Sequence, residues 1–488
     1  MRAPTPQPSL FIVFGGTGDL MREKLLAALH RLHTTGQLHP RTRILATARS
    51  RDFNDASYQA QAATWLQRDG AASPALAAWC RESLFFQSIG AGQSADFTAL
   101  AQRIAALETQ QALPGNRVFY LALPPQAFPG TIQGLGGAQL NRGPGWTRLV
   151  IEKPFGRDLA SARELNHLVH REFEENQVYR IDHYLGKETV QNLLAFRVAN
   201  PIFETLWNRD RVDNVQLTVA ESAGIGGRAG YYEQAGALRD MVQNHLTQLL
   251  TLVAMELPSS FDADAIRDEK VKVLRSISPI EPTQVIYGQY GHDSRLPAQN
   301  AAPGPSYREE AGVAKDSRTE TYAALHLEIA NWRWHGVPFY LRTGKHLPQR
   351  VTQVVVNFRR APVSLLRQAA ARRPNALVIT IQPNEGFDLL VDVKAPGQGM
   401  TLQSQRLHFR YSEAFSELAE AYETLLLDIL AGDQTLFVRA DEVEASWTLY
   451  APLLAAPPRI HPYPSNTWGP QAADALLARH NHEWGACE

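Results

Sequence analysis

Residues 9–32 restrict the fold more than any other stretch. Ser9-Leu10-Phe11-Ile12-Val13-Phe14 is a continuous apolar run, as expected of a parallel strand buried on both faces. Gly15-Gly16-Thr17-Gly18-Asp19-Leu20 follows at once, and a helical pattern then runs through Leu25, Leu26, Leu29 and Leu32. Strand, glycine loop and helix in that order form the context of a dinucleotide-binding turn. There the glycines let the backbone approach a pyrophosphate, and the helix N-terminus favours its charge. The spacing is Gly-x-x-Gly-x-x-Met, so Met21 stands where a third glycine is usual. A plain strand-to-helix turn is the alternative from these residues alone. No Gly-Lys-Ser/Thr follows, which excludes a Walker A loop.

The alternation continues downstream. Strand-like runs at 43–49, 84–89, 118–123, 149–151 and 178–181 have helical patterns between most of them, near 56–68, 96–112 and 159–174. Strands alternating with helices predict a doubly wound parallel sheet, with ligands at the carboxyl ends of the strands. An NAD enzyme usually places an acidic residue at the end of the second strand to bind the ribose 2′-hydroxyl. Here that end carries Arg49, Ser50 and Arg51, which favours the 2′-phosphate of NADP. Solvated arginines are the other reading, and Asp52 keeps NAD open as a weaker alternative. Lys153, in Glu152-Lys153-Pro154-Phe155-Gly156, is either a ligand-facing cation or a salt-bridge partner of Glu152 or Asp158.

The chain has 488 residues, too many for one ordinary core. The expected division is a dinucleotide-binding domain at 1–183 and a substrate-binding and oligomerisation α+β domain at 184–488. Past residue 200, runs at 215–221, 321–330, 351–358, 376–382 and 402–409 look like strands without regular helices between them. They predict a large, mostly antiparallel sheet. Helices are expected near 235–255, 416–431 and 440–453, and a long surface loop at 292–312.

Formal net charge is −1 without runs of like charge, which argues against nucleic acid or an anionic membrane as main partner. Apolar runs fall far short of a membrane span. Met1–Pro8, with one Arg and three prolines, does not read as a signal peptide. Cys80 and Cys487 cannot make a disulfide framework or a zinc site, so a reducing cytoplasm and no metal are expected. Eight lysines stand against 40 arginines. A surviving Lys then either marks a position suited to a compact point charge or reflects chance and helix preference; Lys24, Lys153, Lys187 and Lys345 all fall in motifs.

Arg180-Ile181-Asp182-His183-Tyr184-Leu185-Gly186-Lys187-Glu188 sits where a strand ends and a helix begins. Its His183, Tyr184 and Lys187 beside a helix N-terminus read as a phosphate grip, or as a salt-bridged surface turn. His245 lies on the apolar stripe of Leu238, Met241, Val242, Leu249 and Leu252. It is either a satisfied core histidine or a base, the second reading being favoured by Asp240, Gln243 and Asn244 within one turn. Arg342-Thr343-Gly344-Lys345 ends an apolar run and Arg350 follows, which suits a sugar phosphate or a surface loop.

Taken together these motifs resemble those of the glucose-6-phosphate dehydrogenases. The carriers are Gly-Gly-Thr-Gly-Asp-Leu (15–20) with Lys24, Ala48-Arg49-Ser50-Arg51, Phe119-Tyr120-Leu121-Ala122-Leu123-Pro124-Pro125, Glu152-Lys153-Pro154-Phe155-Gly156, the stretch at 180–188, Gln243-Asn244-His245 and Arg342-Thr343-Gly344-Lys345. They follow the family order over about residues 10–450. The resemblance implies hydride transfer from C1 of glucose 6-phosphate to NADP, giving 6-phosphogluconolactone. It implies His245 as general base and Asp182 as its carboxylate partner. His183, Tyr184 and Lys187 match the phosphate grip, and Glu221, Asp240, Lys345 and Arg350 match residues around sugar and phosphate. Lys153 matches a lysine between sugar and cofactor, with Lys24 nearby. Gly15, Gly16, Thr17, Gly18, Asp19, Leu20 and Arg49 match the cofactor site.

Met21 replaces the alanine common in the family, with bulk to shift the helix against the loop. Arg350 replaces a lysine found in some members. Val351-Thr352-Gln353-Val354 lacks the extra basic residues that hold a second, structural NADP in some eukaryotic members. The family is usually dimeric or tetrameric through the sheet of the second domain. Two other functions stay in view: a non-catalytic NADP-binding regulatory paralogue, and a dehydrogenase of another hexose or hexose phosphate.

Overall fold

The computed structural model describes residues 6–67, 73–291, 306–361, 374–397, 400–415 and 418–485. Residues 1–5, Cys487, most of the expected 292–312 loop, and the expected helix ends at 68 and 416–417 lie outside them. The chain forms two compact units. Unit 1 comprises Met1–Lys187, Ser260–Arg267 and Ala419–Glu444; unit 2 comprises Glu188–Ser259, Asp268–Leu418 and Ala445–Glu488.

Numbered along the chain, the strands of unit 1 are β1 (Leu10–Phe14), β2 (Arg43–Ala48), β3 (Leu84–Ser88), β4 (Arg117–Leu121), β5 (Thr147–Ile151), β6 (Val178–Ile181) and, much later, β15 (Phe437–Val438). Those of unit 2 are β7 (Val212–Ala220), β8 (Val285–Tyr290), β9 (Tyr322–Glu328), β10 (Pro338–Gly344), β11 (Val351–Phe358), β12 (Ala376–Gln382), β13 (Gly386–Lys394), β14 (Leu402–Arg410) and β16 (Ile460–Tyr463).

In unit 1 the order is β15-β6-β5-β4-β1-β2-β3. β1 to β6 are parallel, in the doubly wound order with a switch point beside β1. Every residue of β1 and β4 is buried, which is why these strands read as unbroken apolar runs. Helices Asp55–Leu66 and Leu159–Glu172 start where Asn54 and Asp158 accept the N–H of Ser57 and Ser161. Two further helices, Pro74–Ser83 and Phe128–Gly137, escape the sequence pattern. The last segment is a structural surprise. Helix Ala421–Ala431 adds Leu425, Leu426, Ile429 and Leu430 to the core built on Leu25, Leu29 and Tyr58. β15 then pairs antiparallel with β6, Phe437 opposite Ile181.

In unit 2 the order is β14-β13-β12-β11-β7-β10-β9-β8-β16. Pairing is antiparallel except between β7 and β10 and between β8 and β16. The parallel exception matters, because it sets the carboxyl ends of β7 and β10 side by side, Ala220 opposite Gly344. The helix expected over 235–255 is not uniform. Gly236, at φ +64°, ends the preceding helix; Leu238–Leu246 is a π-helix, and Thr247–Ala254 is α-helical. The fold class is therefore the expected one: a Rossmann-like α/β unit and a larger α+β unit with a mostly antiparallel sheet.

Candidate active site

Unit 1 gathers its candidate residues at the carboxyl ends of β1, β2, β5 and β6. The N–H groups of Gly15 and Gly16 both donate to Thr47 O, at 3.0 and 2.8 Å, which pins the loop to β2. Gly15 has φ +89°, and a Cβ there would lie 2.1 Å from Ala122 O; one on Gly16 would lie 2.6 Å from Ala46 Cβ. Both positions therefore require glycine. Tyr58 Oη donates to Gly16 O at 2.8 Å from within the core. The loop leaves Thr17 and Leu20 half-buried and Gly18 and Asp19 exposed, at a helix N-terminus, where an anion is favoured. Met21 is fully buried, and the helix opens with a wide π-turn, Met21–Leu25, that accommodates it. Lys24 pairs with Glu420 at 3.4 Å on the exposed side of that helix.

Arg49 and Arg51 are exposed just beyond β2, while Asp52 Oδ2 accepts the Ser50 hydroxyl at 2.6 Å. Asp52 is thus engaged by its own turn. Lys153 follows β5 in a half-buried position. Glu152 accepts Tyr120 Oη at 2.6 Å and Tyr422 Oη at 3.3 Å, and Asp158 caps the next helix. Burial raises the Glu152 carboxyl above its ordinary range, against the pull of the two tyrosines and Lys153.

The 182–187 segment is a folded turn. Tyr184 N–H donates to Asp182 Oδ1 at 3.0 Å, and Leu185 N–H donates to Asp182 O at 2.9 Å. Asp182 thus makes an Asx-turn that sets the direction of the residues after it. The His183 and Tyr184 rings lie 5.1 Å apart, and Lys187 Nζ stands 4.8 Å from the Tyr184 ring. A side chain on Gly186 would lie 2.6 Å from Ala421 O, so the turn packs tightly on helix Ala421–Ala431. Arg180, at the start of the same motif, points elsewhere: it is buried against Glu175 at 2.7 Å and Asn166 at 3.1 Å.

Unit 2 holds the other cluster. Glu221 and Lys345 leave the neighbouring ends of β7 and β10, and the Lys345 ammonium, 2 % exposed, is ion-paired to the Glu221 carboxylate. Arg350 immediately precedes β11, whose Val351 pairs with Ala220, so its backbone enters beside Glu221; its side chain is exposed, 3.5 Å from Gln382 Oε1. Arg342, three residues before Lys345, is committed to structure. It is buried between the Trp468 and Trp484 rings and donates to Thr218 Oγ1 at 3.0 Å.

Asp240 and His245 are both buried on the π-helix Leu238–Leu246. The wider i→i+5 turn brings residues five apart toward one side, where an α-helix would separate them. Two side chains follow that spacing: Asn244 Nδ2 donates to Arg239 O at 3.1 Å and Thr247 Oγ1 to Val242 O at 2.6 Å. Ser446 Oγ donates to Gln243 O at 2.7 Å. Tyr231 Oη donates to Asp240 Oδ1 at 3.1 Å, and Lys345 Nζ stands 5.3 Å from the Tyr232 ring. Burial, then Asp240, raises the Tyr231 phenol, so it stays a donor. Sequence reasoning passed over these two tyrosines. The doublet after Gly230 is visible, but its partners are nine and more residues away.

The family profile described as "Glucose-6-phosphate dehydrogenase, NAD binding domain" matches residues 12–192, and "Glucose-6-phosphate dehydrogenase, C-terminal domain" matches residues 194–485. The chain is 44% identical to a glucose-6-phosphate 1-dehydrogenase of Rhizobium meliloti (strain 1021), over 98% of both. It is 42% identical to the enzyme of that name from Aggregatibacter actinomycetemcomitans, over 97% of this chain and 96% of the other. A solved glucose-6-phosphate dehydrogenase in complex with its substrate glucose-6-phosphate superposes with a TM-score of 0.90 at 36% identity, covering 100% of both chains. A glucose-6-phosphate 1-dehydrogenase structure from Mycobacterium avium gives 0.84 at 35% identity, covering 98% of this chain and 99% of that one.

Proposed function

Because the chain belongs to the glucose-6-phosphate dehydrogenase family, we propose that its two residue clusters serve one reaction, the oxidation of glucose 6-phosphate at C1. The chain is an oxidoreductase of the glucose-6-phosphate 1-dehydrogenase type, yielding 6-phosphogluconolactone. It uses a nicotinamide cofactor, which when bound supplies the hydride acceptor.

In the proposed mechanism His245 takes the C1 hydroxyl proton as general base, and Asp182 is the carboxylate that orients the imidazole and stabilises its charged form. His183, Tyr184 and Lys187 hold the phosphate as donors and a point charge. Glu221, Asp240, Lys345 and Arg350 surround the sugar and phosphate. Lys153 serves both sugar and cofactor. The loop of Gly15, Gly16, Thr17, Gly18, Asp19 and Leu20 holds the pyrophosphate, consistent with a backbone where two Cβ atoms would clash. Arg49 meets the 2′-phosphate, so NADP is the proposed cofactor and NAD the weaker one. The observation that carries this reading is the ion pair between buried Lys345 and part-exposed Glu221, set by the parallel β7–β10 register beside the helix of Asp240 and His245.

The proposed compartment is the cytoplasm and the proposed assembly a homodimer or homotetramer through the unit 2 sheet. Among the described residues, no helix is long and apolar enough to cross a membrane. The deciding experiment is steady-state assay of glucose 6-phosphate and free glucose against NADP and NAD. Turnover is expected with the phosphorylated sugar, faster with NADP. His245→Asn is expected to lower kcat by about 10²–10⁴-fold while substrate still binds. A near-normal rate in that variant removes His245 as base.

A further inference from the structure

Glu320 lies outside every motif the sequence singles out. Its carboxylate accepts the Leu238 N–H at 3.0 Å, and its backbone carbonyl accepts the Ala237 N–H at 2.9 Å. Leu238 opens the π-helix that carries Asp240 and His245. The first N–H groups of a helix have no partner within it and form the positive end of its dipole, so a carboxylate there acts as a cap. Gly236 makes the approach possible. It adopts φ +64°, and a Cβ on it would lie 2.3 Å from Glu320 Oε1.

Thr321, the next residue, reaches the opposite wall of the cluster. Its carbonyl accepts the Lys345 N–H at 3.0 Å. Tyr463 Oη lies 3.1 Å from Thr321 Oγ1 and donates to Lys345 O at 2.7 Å. Two consecutive residues therefore hold the start of the helix and the end of the strand. Between them lies Tyr232, whose phenol is raised by burial and then by Asp240, Glu320, Tyr463 and Glu221.

We infer that Glu320 is a positioning residue that fixes the spacing between the helix bearing Asp240 and His245 and the strand end bearing Lys345. It acts through the Leu238 N–H and touches no reacting atom. The inference rests on the proposed roles of His245 and Lys345.

The test compares Glu320→Gln, Glu320→Asp and Glu320→Ala in the full-length enzyme, with His245→Asn alongside. Gln keeps an oxygen for the Leu238 N–H, so its kcat is expected within about threefold of wild type. Asp retracts the carboxylate by one carbon and Ala removes it. Both are expected to lower kcat about tenfold or more and to raise KM for glucose 6-phosphate, because small misplacements at a reacting centre are costly. KM for the nicotinamide cofactor, bound in unit 1, is expected to stay within twofold. Should Ala not fold, the Asp-to-Gln contrast decides. Wild-type kcat in Asp overturns the inference, as does a Gln variant no better than Asp, or a loss of melting temperature alone. Persistent turnover in His245→Asn overturns the base assignment separately, since KM for glucose 6-phosphate still reports on Lys345.

Discussion

Glu152 shows what desolvating a carboxylate costs at the end of β5. Its Oε1 accepts both Tyr120 and Tyr422, yet burial leaves its pKa raised from 4.5. A raised carboxyl contributes stability that is fully present below its unfolded pKa and is lost as pH rises through the folded value. At neutral pH the ionised form is therefore a net burden. Glu152→Gln keeps the accepting oxygen for both tyrosines without the charge. Its melting temperature, followed from pH 4 to 8, is expected to match wild type at the acid end and to equal or exceed it at pH 7. A uniform drop across the range would contradict this. At this scale residue type was an incomplete guide. Lys345 and Arg342 stand three apart in one motif, but Lys345 meets Glu221 and Arg342 is sandwiched by Trp468 and Trp484. Which cation a distant tryptophan will cover is not written in the local pattern.

The elements most legible in the chain were those whose burial is simple. β1 is buried on both faces and reads as an unbroken apolar run. Helix Phe128–Gly137 was hidden by its four glycines, which signal a breaker. Two of them serve close packing: a Cβ on Gly134 would lie 2.1 Å from the Phe97 ring and one on Gly136 1.9 Å from Glu172 Oε2, whereas Gly130 and Gly137 have nothing within 4 Å. The π-helix was hidden because an apolar stripe of period 3.6 carries no mark of a wider turn. β15 is two residues long and has no period at all. Its Phe437 is fully buried and meets the Tyr179 ring edge-on at 4.8 Å. Phe437→Ala is expected to destabilise unit 1 by about 3–5 kcal/mol, read by denaturant unfolding. A loss under about 1 kcal/mol would mean that β15 is an ornament on the edge of β6.

At the scale of the whole molecule, the sheet of unit 2 ends in strands that stay largely exposed among the described residues. β14 is exposed along most of its length, and the β13–β14 register places Leu389, Val391, Val393 and Leu407 on one face. Leu407 is 60% and Val393 42% exposed. An aliphatic sheet face of this kind suits the proposed self-association. Leu407→Asp is expected to shift the molar mass measured by light scattering toward the monomer, and an unchanged mass would place the contact elsewhere. Unit 1 has its own unfinished edge, but a temporary one. Its sheet and core are completed only by residues 419–444. A ribosome that has released residue 187 must add about 230 more before helix Ala421–Ala431 can emerge. At typical rates of synthesis that takes roughly 10–50 s. Throughout that interval the nascent chain carries an open β6 edge and a bare apolar bed, the kind of surface that invites pairing with the wrong chain.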